Sequence, residues 1–203
     1  ERFLLRRQPS LEAQIANLAD EIAYNNHDVD DGLRSGLITI EQLHAVDLFA
    51  AHAEAVRRAF PGIAERRLVH ETIRRMINEL VVDLLDETRR RVAAASPRSI
   101  DEVRAAAPLV AFSGPMRERS QRLKAFLNEK LYRHARVVAV MDEAKAGVRR
   151  LFAAYASDPA LLPDEHRERA RRLGVRAIAD YIAGMTDRFA QKELDRLGAT
   201  ARR

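Results

Sequence analysis

The feature that most constrains the fold of this 203-residue chain is a helical spacing of apolar residues that recurs in almost every segment. No stretch shows the sustained alternation of apolar and polar residues that a half-buried strand would have. Most of the eight glycines, and all seven prolines, fall between the periodic segments or at their ends, where they indicate turns. The pattern therefore predicts an all-α protein, an irregular multi-helix fold rather than a simple four-helix bundle.

Helix caps and helix breakers divide the chain into predicted helices. The first is expected from Leu11 to about Asp28, with Ser10 as its N-cap. A short loop is expected around Gly32 to Gly36, and Thr39 is typical of a helix start. The later helices are predicted at about 46–60, 64–94, 99–106, 115–132, 136–155, 163–173 and 175–197.

The charge balance favours anionic partners, such as nucleotides or nucleic acid. Charged residues make up 32% of the chain and the formal net charge is +5. Arg and Glu are interleaved along most segments, which weakens that preference. The chain has no cysteine, which excludes disulfides and thiolate metal sites and fits a reducing cytoplasm. No run approaches the roughly 18 apolar residues of a membrane span, so we expect a cytoplasmic protein without a membrane partner.

The first predicted helix carries two separate stripes. At about 100° per residue, a buried stripe is expected to contain Leu11, Ile15, Leu18, Ile22 and Val29. A second stripe, well over 90° away, contains Asp20, Tyr24 and Asp28.

Spacing alone permits two interpretations of the polar stripe. It is either a solvated face or a functional face, where the nearby Asp30 and Asp31 add negative charge that a divalent cation would relieve. His27 and Asp28 are adjacent, but they point about 100° apart on a helix. We therefore expect His27 to be a surface or interface residue rather than a metal ligand.

Three segments resemble one protein family. The segment EAQIANLADEIAYNNHDVDDGL resembles the helix that bears the last metal ligand of the deoxyguanosine triphosphate triphosphohydrolase-like proteins, a branch of the HD-domain superfamily. The segment RLKAFLNEKLYRHARV is similar to that family's pattern of a Lys, an aromatic residue and then Tyr-x-His. The segment LGVRAIADYIAGMTDRFAQKE resembles the closing helix of the family.

The resemblance implies a metal site that this chain only partly contains. By resemblance Asp20 is the last ligand of a divalent metal, with Mg or Mn expected and another transition metal as the alternative. The family's other ligands are a His and a His-Asp doublet, and no His precedes Asp20 here. We therefore expect the C-terminal portion of a longer enzyme. Residues 1–36 would end the HD catalytic core, and residues 37–203 would form a C-terminal helical region that completes the nucleotide pocket.

The same resemblance assigns substrate contacts. Tyr24 and Asp28 would contact the deoxyribose, Lys124 the phosphates, and Tyr132 the sugar or base. From the residues alone, Lys124 is equally interpretable as a solvated lysine and Tyr132 as a helix-end core aromatic. The family implies a deoxynucleoside triphosphate as substrate and a homo-oligomer as assembly.

Two functions of different classes are therefore carried forward. The first is part of a metal-dependent hydrolase that cleaves a deoxynucleoside triphosphate to the deoxynucleoside and triphosphate, with the fragment alone inactive. The alternative is a non-catalytic helical module for interaction, oligomerisation or binding of single-stranded nucleic acid. Its sequence support is the Arg-rich runs at 89–91 and 167–172, which we otherwise expect to be solvated helix faces.

Overall fold

The computed structural model describes residues 7–200 and confirms the all-α prediction. This range contains ten α-helices and no strand. The helices are α1 (Leu11–Arg34), α2 (Ile40–Leu43), α3 (Asp47–Ala59), α4 (Glu65–Ala95), α5 (Ile100–Ala105), α6 (Gly114–Leu127), α7 (Ala135–Ser157), α8 (Asp164–Leu173), α9 (Val175–Ala183) and α10 (Asp187–Thr200). A π-helical turn, Asn128–Tyr132, follows α6, and a 3₁₀ turn, Pro159–Leu161, follows α7. Over the described residues, no helix is both long enough and apolar enough to cross a bilayer.

The chain divides into two compact units, and the boundary in the sequence falls between His134 and Ala135. In the first unit, α1, α3, α4 and α6 pack around a core that includes Val29, Phe49 and Met76. In the second unit, α7 to α10 pack around the buried side chains of Leu151 and Tyr155. The predicted division at residue 36 concerns a catalytic core rather than packing, and it stays a prediction.

Local hydrogen bonds explain why several helices begin where the sequence predicts. The Ser10 hydroxyl accepts a hydrogen bond from the Ala13 N–H at the start of α1. Thr39 and Gln42 form a capping box, in which each side chain accepts from the other residue's backbone N–H. The Ser113 hydroxyl accepts from the Met116 N–H at the start of α6. These side chains satisfy N–H groups that have no partner within the helix.

The last predicted helix, 175–197, is wrong as a single element. The structure has two helices there, because α9 ends at Ala183 and α10 begins at Asp187. The Gly184 N–H bonds back to carbonyls of the last turn of α9. The Thr186 hydroxyl then accepts from the Phe189 N–H and starts α10. Apolar periodicity persists across such a break, which is why the spacing did not reveal it.

The predicted buried stripe of α1 is wrong at Ile15, which is 48% exposed. Gln14 is buried in its place. Its side-chain oxygen accepts from the N–H groups of Leu109 and Val110, at 3.1 and 3.2 Å. These two N–H groups lie outside any helix and are buried, so they need an acceptor. The start of α1 therefore turns Gln14, rather than Ile15, towards the loop before α6.

Gly32 lies where α1 packs closely against two neighbouring side chains. The predicted loop at this point is instead the end of α1, which continues to Arg34. A Cβ atom on Gly32 would lie 2.8 Å from Ile38 Cδ1 and 3.3 Å from Leu131 Cδ1. Ile38 and Leu131 are themselves buried. Glycine therefore lets the end of α1 pack against both the turn that follows it and the π-helical turn after α6.

The substitution Gly32→Ala is expected to destabilise the protein, although alanine is the better helix former. The added methyl group overpacks a buried contact, which typically costs about 1–3 kcal/mol. Urea unfolding followed by circular dichroism measures this loss. Gly198→Ala is the matched control, because Gly198 is also in a helix and a Cβ there meets no atom within 4 Å. Equal stability of the two variants would contradict the close-packing explanation.

A charged network joins α3, α4 and α6 in the first unit. Glu79 on α4 contacts His52 Nε2 at 2.6 Å through one oxygen, and Arg119 on α6 donates to the other. Arg119 also lies 3.7 Å from a carboxylate oxygen of Asp47. Burial alone would raise the pKa of Glu79, but the hydrogen bonds from Arg119 and His52 outweigh it and lower that pKa.

The substitution Glu79→Gln is expected to lower the free energy of unfolding at neutral pH by about 1 kcal/mol or less, because the network is partly exposed to water. The pKa of Glu79 is lower in the folded state than its ordinary value of 4.5. Its contribution is therefore complete above that value and is lost as the pH falls through the folded-state pKa. The unfolding free energies of the wild type and Glu79→Gln should therefore converge as the pH falls. Urea unfolding of both proteins, repeated between about pH 7 and pH 3, measures this convergence.

Glu143→Gln serves as the control, since Glu143 is exposed on α7 and makes no side-chain hydrogen bond or ion pair with the described residues. Its unfolding free energy should follow that of the wild type at every pH. A stability difference for Glu79→Gln that persists unchanged at acid pH would show that the carboxylate charge is not the cause.

Candidate functional site

A groove of about 640 Å³ lies between α1 and the end of α6, entirely within the first unit. It is lined by Asn17, Asp20, Glu21, Tyr24, Asn25, Lys124, Ala125, Asn128 and Tyr132. Residues on α1 that are three or four positions apart share one face, so α1 presents a continuous polar wall to the groove. The end of α6 and the π-helical turn form the opposite wall.

The groove brings together the site residues predicted from two distant segments. Asp20, Tyr24, Lys124 and Tyr132 all line it. Asp28 lies one turn beyond Tyr24 on α1 and accepts a hydrogen bond from the Tyr132 hydroxyl. All five predicted residues therefore belong to one local arrangement, and the roles assigned to them stay predictions.

The Tyr132 hydroxyl is held in its protonated form. Burial raises the pKa of this phenol, and the hydrogen bond to the negatively charged Asp28 raises it further. The nearby Tyr24 hydroxyl acts in the same direction. The Tyr132 hydroxyl donates to the Asp28 carboxylate and so orients it from the opposite wall of the groove.

A π-helical turn sets the direction of Tyr132. The sequence predicted one α-helix through Tyr132, but α6 ends at Leu127 and the π-helical turn takes over. In a regular α-helix, residues eight apart are displaced by about 80° around the axis. A π-helical turn has more residues per revolution, so each residue rotates less and that displacement shrinks. The turn thereby allows Lys124 and Tyr132 to line the same groove.

Lys124 is paired in the groove with a residue that the sequence reasoning missed. Its ammonium nitrogen lies 3.1 Å from a carboxylate oxygen of Glu21, and the two side chains are 48% and 30% exposed. Glu21 directly follows Asp20, but its partner is more than a hundred residues away. No local spacing in the sequence indicates this pair, so only the tertiary structure could reveal it.

The amide side chains along the groove were also missed as site residues. Asn17, Asn25 and Asn128 line it. Asn25 and its neighbour Asn26 are buried, and Asn26 Nδ2 donates to the Ile22 carbonyl at 2.8 Å. Amides supply both donors and acceptors without charge, which suits contacts to the hydroxyl groups of a ligand.

Asp20 fits the role of one ligand within a larger metal site. Its side chain is exposed in the groove and makes no hydrogen bond or ion pair with the described residues, which leaves both carboxylate oxygens available. No group of three or more Asp, Glu, His or Cys side chains within the described part of the chain could hold a metal ion. A metal bound at Asp20 would therefore need ligands from outside these residues. His27 is exposed and is absent from the residues that line the groove.

The two nearby acids differ in their surroundings. Asp30 lies 3.5 Å from Arg34 in an ion pair one turn along α1. Asp31 is exposed, and its carboxylate has no partner among the described side chains. Neither acid lines the groove, so the acidic residue that lines it together with Asp20 is Glu21.

Comparison with known proteins first gives a class of domain. Residues 110–196 match the family described as "Phosphohydrolase-associated domain". The matched range includes Lys124 and Tyr132 but not the α1 residues of the groove. Only one wall of the groove therefore lies within this domain.

Relatives that match almost all of this chain give a more specific comparison. The chain is 55% identical to a protein of Azoarcus sp. (strain BH72), over 98% of the chain and 52% of that protein. It is 56% identical to proteins of Ralstonia nicotianae and Bordetella pertussis, over 98% and 97% of the chain and 51% of each relative. All three are named "Deoxyguanosinetriphosphate triphosphohydrolase-like protein".

The chain is therefore a partial homologue of the deoxyguanosinetriphosphate triphosphohydrolase-like proteins, and the resemblance predicted from its sequence is confirmed. It spans about half the length of the curated relatives it matches. Both walls of the groove lie within the matched length, since the alignments cover at least 97% of this chain.

Proposed function

We propose that this chain forms part of a metal-dependent deoxynucleoside triphosphate triphosphohydrolase, with dGTP or another deoxynucleoside triphosphate as substrate. The reaction would release the deoxynucleoside and inorganic triphosphate. The observation that carries the proposal is the meeting of Asp20, Tyr24, Asp28, Lys124 and Tyr132 around one groove. The names of the relatives support this choice of substrate.

The chemistry of each side chain suits a part of such a substrate. The Lys124 ammonium is a compact positive charge with three donors, which suits the phosphates. The Asp28 carboxylate accepts a hydrogen bond from Tyr132 and has further acceptor capacity for the 3′-hydroxyl of a sugar. Tyr24 is 58% exposed, so its ring is available to pack against the deoxyribose. A ring in that place would exclude a 2′-hydroxyl by steric conflict.

Asp20 would contribute one carboxylate to a divalent metal, Mg or Mn by preference, and the remaining ligands would come from outside the described residues. The metal, when bound, would activate water and stabilise negative charge on the phosphate. The described residues mainly bind and orient the substrate. The active assembly would be a homo-oligomer of the complete protein.

At the first of its two Arg-rich runs, the alternative of a nucleic-acid-binding module has less support from the ion pairs. In the Arg run at 89–91, Arg90 and Arg91 lie 2.7 Å from Glu87 and Arg89 lies 3.4 Å from Asp86. Arginines that pair with acids on their own helix present less net positive charge to a phosphate backbone. This pairing is what a solvated helix face would show.

In the complete protein, Asp20→Ala is expected to abolish triphosphate release from dGTP while the fold is retained. Loss of a residue that merely orients a metal ligand typically costs 10–100-fold, so loss of a ligand itself should cost at least about 100-fold. A coupled assay for triphosphate measures activity, and calorimetric titration with Mn²⁺ measures metal affinity. Circular dichroism verifies folding.

Asp31→Ala is the matched control, because it removes an exposed acid from the same helix outside the groove. It should retain both turnover and affinity for Mn²⁺. Wild-type turnover by a folded Asp20→Ala protein would reject the metal-ligand assignment.

The sugar contacts predict different effects for Asp28 and Tyr24. Asp28→Ala is expected to raise KM for dGTP by about tenfold or more, since a hydrogen bond to a charged group contributes about 1.5–3 kcal/mol. Tyr24→Phe keeps the ring and loses only the hydroxyl, so its KM should rise by less than about threefold. Steady-state kinetics of both variants of the complete protein measure the difference. Two small and equal effects would remove the sugar-contact assignment.

A further inference from the structure

The charge of the groove is unfavourable for a polyanion. Among the described residues that line it, Lys124 is the one basic side chain, whereas Asp20 and Glu21 are both acidic. Lys124 is also already paired with Glu21, at 3.1 Å. A phosphate that approaches Lys124 therefore approaches the Glu21 carboxylate at the same time.

We propose that Glu21 is a counter-ion that weakens the hold of Lys124 on phosphate and thereby favours release of the triphosphate product. This inference rests on the proposed function for the identity of the ligand. It concerns a residue that neither the spacing of the sequence nor the family resemblance assigned to the site.

Glu21 has two opposing effects on the affinity of the groove for phosphate. The carboxylate holds the Lys124 ammonium at the groove, which would assist binding. It also repels every phosphate that binds there. An ion pair between two partly exposed side chains fixes its partners only weakly, and water screens the repulsion to a similar degree. Triphosphate carries several negative charges, however, and Glu21 repels each of them. The repulsion should therefore dominate, so Glu21 lowers affinity.

The geometry allows Lys124 to contact phosphate without leaving Glu21. The ammonium has three donors, and Glu21 occupies one side of it. About half of the Lys124 side chain remains exposed. The triphosphate product would thus bind to a lysine whose charge is already partly neutralised. Because this weakens the attraction, it favours rapid release of the product.

Glu21→Gln separates the two effects, because the amide oxygen still accepts a hydrogen bond from Lys124 but the negative charge is gone. Titration of inorganic triphosphate into the complete protein by calorimetry should give a Kd about three- to tenfold lower for Glu21→Gln than for the wild type. In steady-state kinetics, inhibition by added triphosphate should strengthen by a similar factor. The ratio of the wild-type Kd to the Glu21→Gln Kd should fall towards one as NaCl rises to about 0.5 M, because salt screens the repulsion.

Glu129→Gln is the matched control. Glu129 pairs with Lys130 at 2.8 Å just beyond α6, and it is not among the residues that line the groove. This variant makes the same change of charge and should bind triphosphate as the wild type does. An unchanged or higher Kd for Glu21→Gln, an equal gain for Glu129→Gln, or no binding of triphosphate to either wild type or Glu21→Gln would overturn the inference.

The measurement of triphosphate binding and the measurement of dGTP hydrolysis test the two proposals independently. A wild-type protein that does not hydrolyse dGTP, yet binds triphosphate more tightly after Glu21→Gln, would retain the counter-ion role and lose the proposed function. A wild-type protein that hydrolyses dGTP, with no gain in triphosphate binding after Glu21→Gln, would retain the function and lose the counter-ion role.

Discussion

Gly32 allows the end of α1 to lie against the Ile38 and Leu131 side chains, next to the residues that form the groove. Leu131 belongs to the π-helical turn, so the contact fixes that turn against α1. Tyr132 directly follows Leu131, and its hydroxyl donates a hydrogen bond to Asp28 on α1. A packing contact in the core thus lies directly beside the hydrogen bond that joins the two walls of the groove.

The charged side chains at the groove have different surroundings. The Asp28 carboxylate accepts a hydrogen bond from the Tyr132 hydroxyl, which orients it. The Lys124 ammonium is held by a carboxylate, which reduces its attraction for anions. Asp20 has no partner among the described residues and remains available to a cation. The three charged groups are thus held by a hydroxyl, by an opposite charge and by no side chain of the described residues, respectively.

Much of the helical architecture could be predicted because helix formation is largely local. Apolar spacing, Ser10, Thr39 and the prolines located most helix starts correctly. The errors occurred where a distant contact decided the outcome. Gln14 is buried because two N–H groups almost a hundred residues away require an acceptor. The helix predicted through Tyr132 changes to a π-helical turn, which the apolar spacing did not distinguish from a continued α-helix.

The sequence by itself determined the all-α class, the polar stripe on α1 and, through its resemblance, the family. These properties depend on side chains close together along the chain, whose positions on a helix follow from its 3.6-residue period. Only the tertiary structure decided that α1 and the end of α6 form one groove, that Tyr132 binds Asp28 and that Glu21 pairs with Lys124. Those contacts join residues about a hundred positions apart, and the packing of the core determines which of them meet.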